Sequence, residues 1–261
     1  MRVHHIEIVD ESGTIAAQDL SALAGALQTQ IDRDFGPVWG SHATVTVGDA
    51  GGLTQGVWPL RILPENELPA GAGGVHLDKN GQPYAIVGAT PDWTVAASHE
   101  LLEMLVDPYG KKLVTGPSID PAAGGRPVSY LVEVADPCEV YPYAINGIQV
   151  SDFVLQDYYS SDAKGEVDQL SKLARPYDVP KGCYISWYDP ADSRWHQKRP
   201  DGTIATASAQ SKLGNHPREQ RDQAFTGAEN EARHNLPKIF SAYQVALLAR
   251  PAPGAAAATP L

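Results

Sequence analysis

Cysteine is scarce in this chain: Cys138 and Cys183 are the only two among 261 residues. Two thiols do not build a disulfide framework, although a single bridge between them stays open for an exported protein. Positive charge is also short. Twenty Lys and Arg face 31 Asp and Glu, a formal net charge of −11, which argues against a nucleic-acid partner because phosphate backbones demand basic patches. The excess acid suits a cation or a basic peptide, and equally plain solubility. No apolar run approaches the ~20 residues of a bilayer span. Met1 to Val9 lacks the apolar stretch and cleavage site of a signal peptide, so the expectation is a cytoplasmic protein that meets no membrane. G-x-S-x-G, P-loop and dinucleotide fingerprints are missing, as is any internal repeat.

Turn formers, by contrast, are abundant, with 24 Gly and 21 Pro, and the length suits one large domain or two intimate subdomains. Val3 to Val9 alternates as a strand, and Ala16 to Phe35 carries Leu20, Leu23, Ala24, Leu27 and Ile31 at helical spacing. His42 to Val47 and Val57 to Leu63 read as strands. Val75 to Leu77 and Tyr84 to Val87 flank an Asn-Gly turn and predict a hairpin, with Tyr84 to Val87 expected at the sheet edge. Thr115 to Pro127 reads as turns, Val128 to Ala135 as a strand, and Asn146 to Leu155 as another, opened by its Asn-Gly. Gly182 to Trp187 and Ser193 to Lys198 predict a second hairpin. Residues 208–235 read as a polar loop, 228–248 as a helix broken by Pro237, and 251–261 as a disordered tail.

The most informative stretch is Ser98-His99-Glu100-Leu101-Leu102-Glu103, inside a helix predicted over 93–107. Asp92, Trp93 and Thr94 supply N-cap candidates, and Pro108 and Gly110 stop the helix. Positions i and i+4 share a helix face, so His99 and Glu103 can hold one metal ion. Glu100, rotated by roughly 100°, can reach a water on that ion. This is the H-E-x-x-H metallopeptidase geometry with glutamate as second ligand. Glutamate binds zinc, but its charge makes the metal a weaker Lewis acid.

One helix supplies two ligands, so a third must come from elsewhere. Asp107 is poorly placed, because eight residues of helix rise roughly 12 Å; supporting the site or holding the Pro108 turn suits it better. Strand alternation sends Glu133 and Asp136 to opposite faces. Asp136, at the strand end, is preferred, with Glu133 left open. His76 in the first hairpin could face the cleft. His196 sits among Tyr184, Trp187 and Tyr188, which points to packing. His4, His5, His42, His216 and His234 have no ligand spacing around them.

The blocks Ala97 to Glu103, Asp107-Pro108, Glu133-Val134-Ala135-Asp136-Pro137-Cys138-Glu139 and Asn146-Gly147 resemble the exordium (phosphate-induced) proteins and related bacterial zincin-like sequences. Those share an S-H-E-L-x-E…D-P…E-I-x-D-x-C-E series over about residues 85–158. Exordium proteins are secreted, so location does not carry over to a chain without a visible signal.

The resulting expectation is an α+β, zincin-like fold: a mixed sheet with the metal helix in residues 1–112, and a turn-rich C-terminal subdomain over 113–250 supplying the third ligand. Its function would be zinc-dependent hydrolysis of a peptide or protein. His99, Glu103 and Asp136 would hold Zn²⁺, Glu100 would act as general base, and Tyr130 or Tyr143 is the candidate to assist the oxyanion. Turnover should be slow or specialised. The alternatives are a non-catalytic scaffold stabilised by Ca²⁺ or Zn²⁺, which Asp107, Glu133 and Asp136 would suit, and an Fe²⁺ or Mn²⁺ enzyme of non-peptidase chemistry.

Overall fold

The computed structural model describes residues 3–49, 56–68, 73–79 and 81–208. The expected helix over 228–248 and the tail 251–261 lie outside these, as does the loop 208–235 apart from Ser208. Strands β1 (Val3–Asp10), β2 (His42–Val47), β3 (Trp58–Leu63), β4 (Gly74–Lys79) and β5 (Gln82–Gly88) form one sheet in the order β2-β1-β3-β5-β4. β1 runs parallel to β2 and β3, β3 runs parallel to β5, and β4 is antiparallel to β5.

Parallel neighbours need a crossover. Between β1 and β2 it consists of helix α1 (Ala17–Thr29), a wide π turn over Gln30–Phe35 and the short helix α2 (Gly36–Trp39). The predicted stripe of Leu20, Leu23, Ala24, Leu27 and Ile31 is buried. The helix expected over 16–35 changes pitch at Gln30, whose side chain turns inward. Its Nε2 donates to Ser151 O at 2.9 Å and to the Tyr143 hydroxyl at 3.1 Å.

Tyr84 to Val87 was expected at the edge and is interior: β5 is bonded to β3 on one side and β4 on the other. Composition explains the placement. Tyr84 to Val87 is buried throughout, whereas the half-buried Asp78 and Lys79 of β4 suit an edge. Alternation then decides what faces the helices. Ile6, Ile8, Leu60, Ile62, Ala85 and Val87 join the main core, while Leu63, Tyr84 and Ile86 cluster with Val75 and Leu77 on the other face. Gly74 lies opposite Val87 and His76 opposite Ala85, so both point to the core side, where helix α3 (Trp93–Val106) packs on β4 and β5.

The second half is built from β6 (Leu113–Pro117), β7 (Pro127–Leu131), β8 (Tyr143–Ile145), β9 (Ile148–Val150), β10 (Ile185–Asp189), β11 (Arg194–Lys198) and β12 (Ile204–Ser208). Five of these form an antiparallel sheet in the order β12-β11-β10-β7-β6. Three expectations need correction. The stretch Thr115–Pro127 contains most of β6. The strand expected to reach Ala135 stops at Leu131. Residues 146–155 are no single strand: Asn146 and Gly147, with φ of 51° and 86°, turn β8 into β9 as a hairpin. Cys138 and Cys183 are both buried and unbridged. One continuous core joins the two halves, running from Ile6 and Leu23 through Leu101 and Met104 to Val134, Phe153 and Trp187. The fold is mixed α+β.

Candidate metal centre

Helix α3 is covered almost all round, with Ala97, Ser98, Glu100 to Leu105 buried. Asp92 occupies the N-cap, though its side chain caps nothing. Asp107 ends the helix and turns away from His99: its carboxylate accepts from Lys111 N at 2.9 Å and Lys112 N at 2.7 Å. It therefore closes the Pro108 turn. Ser98 fixes the helix from behind, donating to Gln30 Oε1 at 2.7 Å and accepting from Ser151 N at 3.0 Å.

On the opposite side the i,i+4 pair meets the turn that follows β7. His99 Nε2 lies 3.3 Å from Glu103 Oε1 and 3.2 Å from Asp136 Oδ1. Asp136 sits at the start of a short 3₁₀ turn, Asp136–Cys138, so strand alternation does not govern its direction as the sequence suggested. Ala135 N donates to Glu103 Oε1 at 3.2 Å, tying this turn to the helix. Glu133 is buried beside them, and its carboxylate adds to the negative field at Glu103.

Donor spacing permits a test of fit. Tetrahedral vertices stand about 1.6 bond lengths apart, which for zinc bonds of 2.0–2.1 Å is roughly 3.3 Å. His99 Nε2 keeps that spacing to both carboxylate oxygens. Asp136 Oδ1 is buried and, among the described residues, makes no conventional hydrogen bond although His99 Nε2 lies 3.2 Å away, an acceptor that an ion would satisfy. Glu103 is 2% exposed and Asp136 2% exposed, so their charges need compensation. The donor set fits a transition-metal ion.

Electrostatics agree. Burial weighs most heavily on His99 and opposes its charged form, yet Glu103, Asp136 and Glu100 outweigh it and raise its pKa well above the ordinary value. Burial first, then Asp136 and Glu133, raise the Glu103 carboxyl well above its own. Without metal the cluster therefore retains protons, and a divalent cation would displace them.

Two further residues lie here, and two supposed helpers do not. His76, fully buried, brings Nδ1 to 3.3 Å from Glu100 Oε2 and 3.5 Å from Glu103 Oε2. Glu139 lies at the rim, where burial and then Asp136 raise its pKa to about 7; it was visible only as the last letter of the motif block. Tyr130 is committed to Pro117 O and Ile119 N, and Tyr143 donates to Asp34 Oδ2. The nearer phenol is Tyr159, which donates to Glu133 O at 3.2 Å and feels the charges of Asp136 and Glu103. His196 stacks on Trp187 with centroids 5.5 Å apart. It also groups with Asp189 and Asp192, but Arg126 already pairs with Asp189. Comparison of the chain with protein-family models, curated proteins and solved structures finds no match.

Proposed function

We propose that the protein is a zinc-dependent hydrolase of zincin-like architecture that cleaves peptide bonds. The observation that carries this reading is the trio of His99 Nε2, Glu103 Oε1 and Asp136 Oδ1, converging at 3.2–3.3 Å on the imidazole nitrogen. His99, Glu103 and Asp136 would hold Zn²⁺, which would supply a Lewis acid and a water acidic enough to deprotonate near neutrality. Glu100 is buried on the next face of the same helix, where its carboxylate can take a proton from that water and return it to a leaving amine. Among the described residues β4 ends the sheet beside α3, and its outer edge would be a template for an extended peptide to add as a further strand.

The imidazole ligand favours Zn²⁺, Fe²⁺ or Mn²⁺ over Ca²⁺, which takes oxygen donors. A purely structural ion remains the rival reading, because the trio already ties α3 to the turn at Ala135 and Asp136. Metal analysis joined to two variants separates them. Glu100→Gln should keep fold and the ion at His99 while hydrolysis of a peptide library falls by about 10²–10⁴-fold. His99→Ala should lose that ion, and chelation should then lower its melting temperature less than it lowers that of the wild type. Full activity in Glu100→Gln would rule out the proposed water activation. A bound ion with no hydrolysis in the wild type would favour the structural role.

A further inference from the structure

We infer that the protein holds a second divalent cation between His76 Nδ1, Glu100 Oε2 and Glu103 Oε2, with Glu103 bridging the two ions. The inference rests on the assignment of the first ion to His99, Glu103 and Asp136, and adds a site to it.

Two groups of potential donors share Glu103: His99, Glu103 and Asp136, and His76, Glu100 and Glu103. They use opposite oxygens of it. Oε1 stands 3.3 Å from His99 Nε2, and Oε2 stands 3.5 Å from His76 Nδ1. A carboxylate whose two oxygens face separate donor sets has the geometry of a bridge, and bridged pairs of ions sit about 3.5–4 Å apart. In the second set His76 Nδ1 also stands 3.3 Å from Glu100 Oε2, which again matches the roughly 3.3 Å between donors on an ion with bonds near 2.0–2.1 Å.

The tautomer of His76 points the same way. Its Nε2 lies 3.2 Å from the Asp107 carbonyl oxygen. A carbonyl only accepts, so Nε2 carries the hydrogen, and in a neutral imidazole Nδ1 then presents a lone pair. That lone pair faces carboxylate oxygens of Glu100 and Glu103, a set of three acceptors that a metal cation would satisfy as well as an added proton would. A metal ligand held in this way, by a backbone carbonyl on its far nitrogen, is the usual arrangement for a coordinating histidine.

The chain also makes room for the arrangement. At Gly74 on β4 an added Cβ would lie 2.7 Å from Glu100 Cγ and 3.0 Å from Glu100 Oε1. The missing side chain lets Glu100 fold back toward His76 beneath the edge strand. Charge adds a further reason. Among the described residues, the basic groups within 4 Å of the Glu100, Glu103 and Asp136 carboxylates are the imidazoles of His76 and His99, which carry charge only when protonated. One divalent ion leaves three carboxylates with a net negative charge in a buried site. Glu100 would bind the second ion through Oε2, with Oε1 lying toward Gly74.

The test uses the purified full chain, stripped by chelator and reloaded with Zn²⁺ alone. Bound zinc is counted after desalting, and crystals are examined by anomalous scattering at the zinc edge. Two equivalents are expected in the wild type, with two anomalous peaks about 3.5–4 Å apart, one in each trio. His76→Asn should retain one equivalent and only the peak at His99. Glu100→Gln, close to isosteric, should also lose the second equivalent and serves if His76→Asn fails to fold. A single peak and a single equivalent at His99, unchanged in both variants, would mean that a proton occupies the His76 set, overturning the inference while leaving the first site intact. Two equivalents in the wild type that persist in both variants would place the second ion elsewhere and also overturn it. No bound zinc in the wild type would remove both sites.

Discussion

Ser98 stands beside His99 in sequence and does the opposite job, holding the helix by its buried face. Its hydroxyl joins Gln30 to the backbone of Ser151, two groups that no local pattern links to residue 98. Ser98→Ala leaves Gln30 Oε1 and the Ser151 N–H without this partner, so urea unfolding should show a loss of about 1–3 kcal/mol. Activity should fall with it as the helix shifts against the Asp136 turn. At this scale legibility followed distance along the chain. The pairing of His99 with Glu103 is a property of helical pitch, and could be read directly. Asp136 was preferred as the carboxylate at the end of a strand expected to reach Ala135, but the strand stops at Leu131 and a short 3₁₀ turn places the residue. His76 was undervalued because its role depends on the register of β4 against β5, and Gln30, Tyr159 and Glu139 enter through tertiary contacts with no periodic signature.

Elements show a similar division. The helix over 93–107, the hairpin around the Asn-Gly at residues 80–81 and the β10–β11 hairpin were written in periodicity and turn chemistry. Strand order was not, so β5 was assigned the edge that β4 occupies. A hairpin leaves open which of its strands faces outward; here the apolar one inserted beside β3. The β8–β9 hairpin was missed because three-residue strands are too short for alternation to register. The consequence for function lies at Gly74, where the edge strand passes under α3 without a side chain. Gly74→Ala would press on Glu100 Cγ at 2.7 Å and turn its carboxylate. Hydrolysis should drop by about 10²-fold, the usual penalty for an ångström of misplacement. Zinc at the His99 trio should persist, so a variant that loses both would sink this account of Gly74.

Across the whole molecule, acidity is handled by burial as much as by solvent. Asp152 is fully buried beside Asp168, and among the described residues its Oδ2 has no conventional hydrogen-bond partner. Burial, and then Asp168, raise its pKa to about 8, whereas an unfolded aspartate titrates near 3.9. The folded protein thus retains a proton that the unfolded chain has released between roughly pH 4 and pH 8. Stability from this residue is fully present below that window and is lost as pH rises through it. Asp152→Asn stays neutral throughout, so its melting temperature should decline less than that of the wild type between pH 5 and pH 9; parallel curves would discount the residue. Finally, the two halves of the His99 trio belong to different sheets of one core, with the helix packed on β4 and β5 and Asp136 following β7. Such a site has a kinetic meaning. It needs contacts between residues far apart in the sequence, and an interaction that forms after the folding barrier slows unfolding and leaves folding almost untouched. Zinc should therefore lengthen the lifetime of the native chain in denaturant jumps without hastening its refolding. It would act as a late lock, with no part in nucleation.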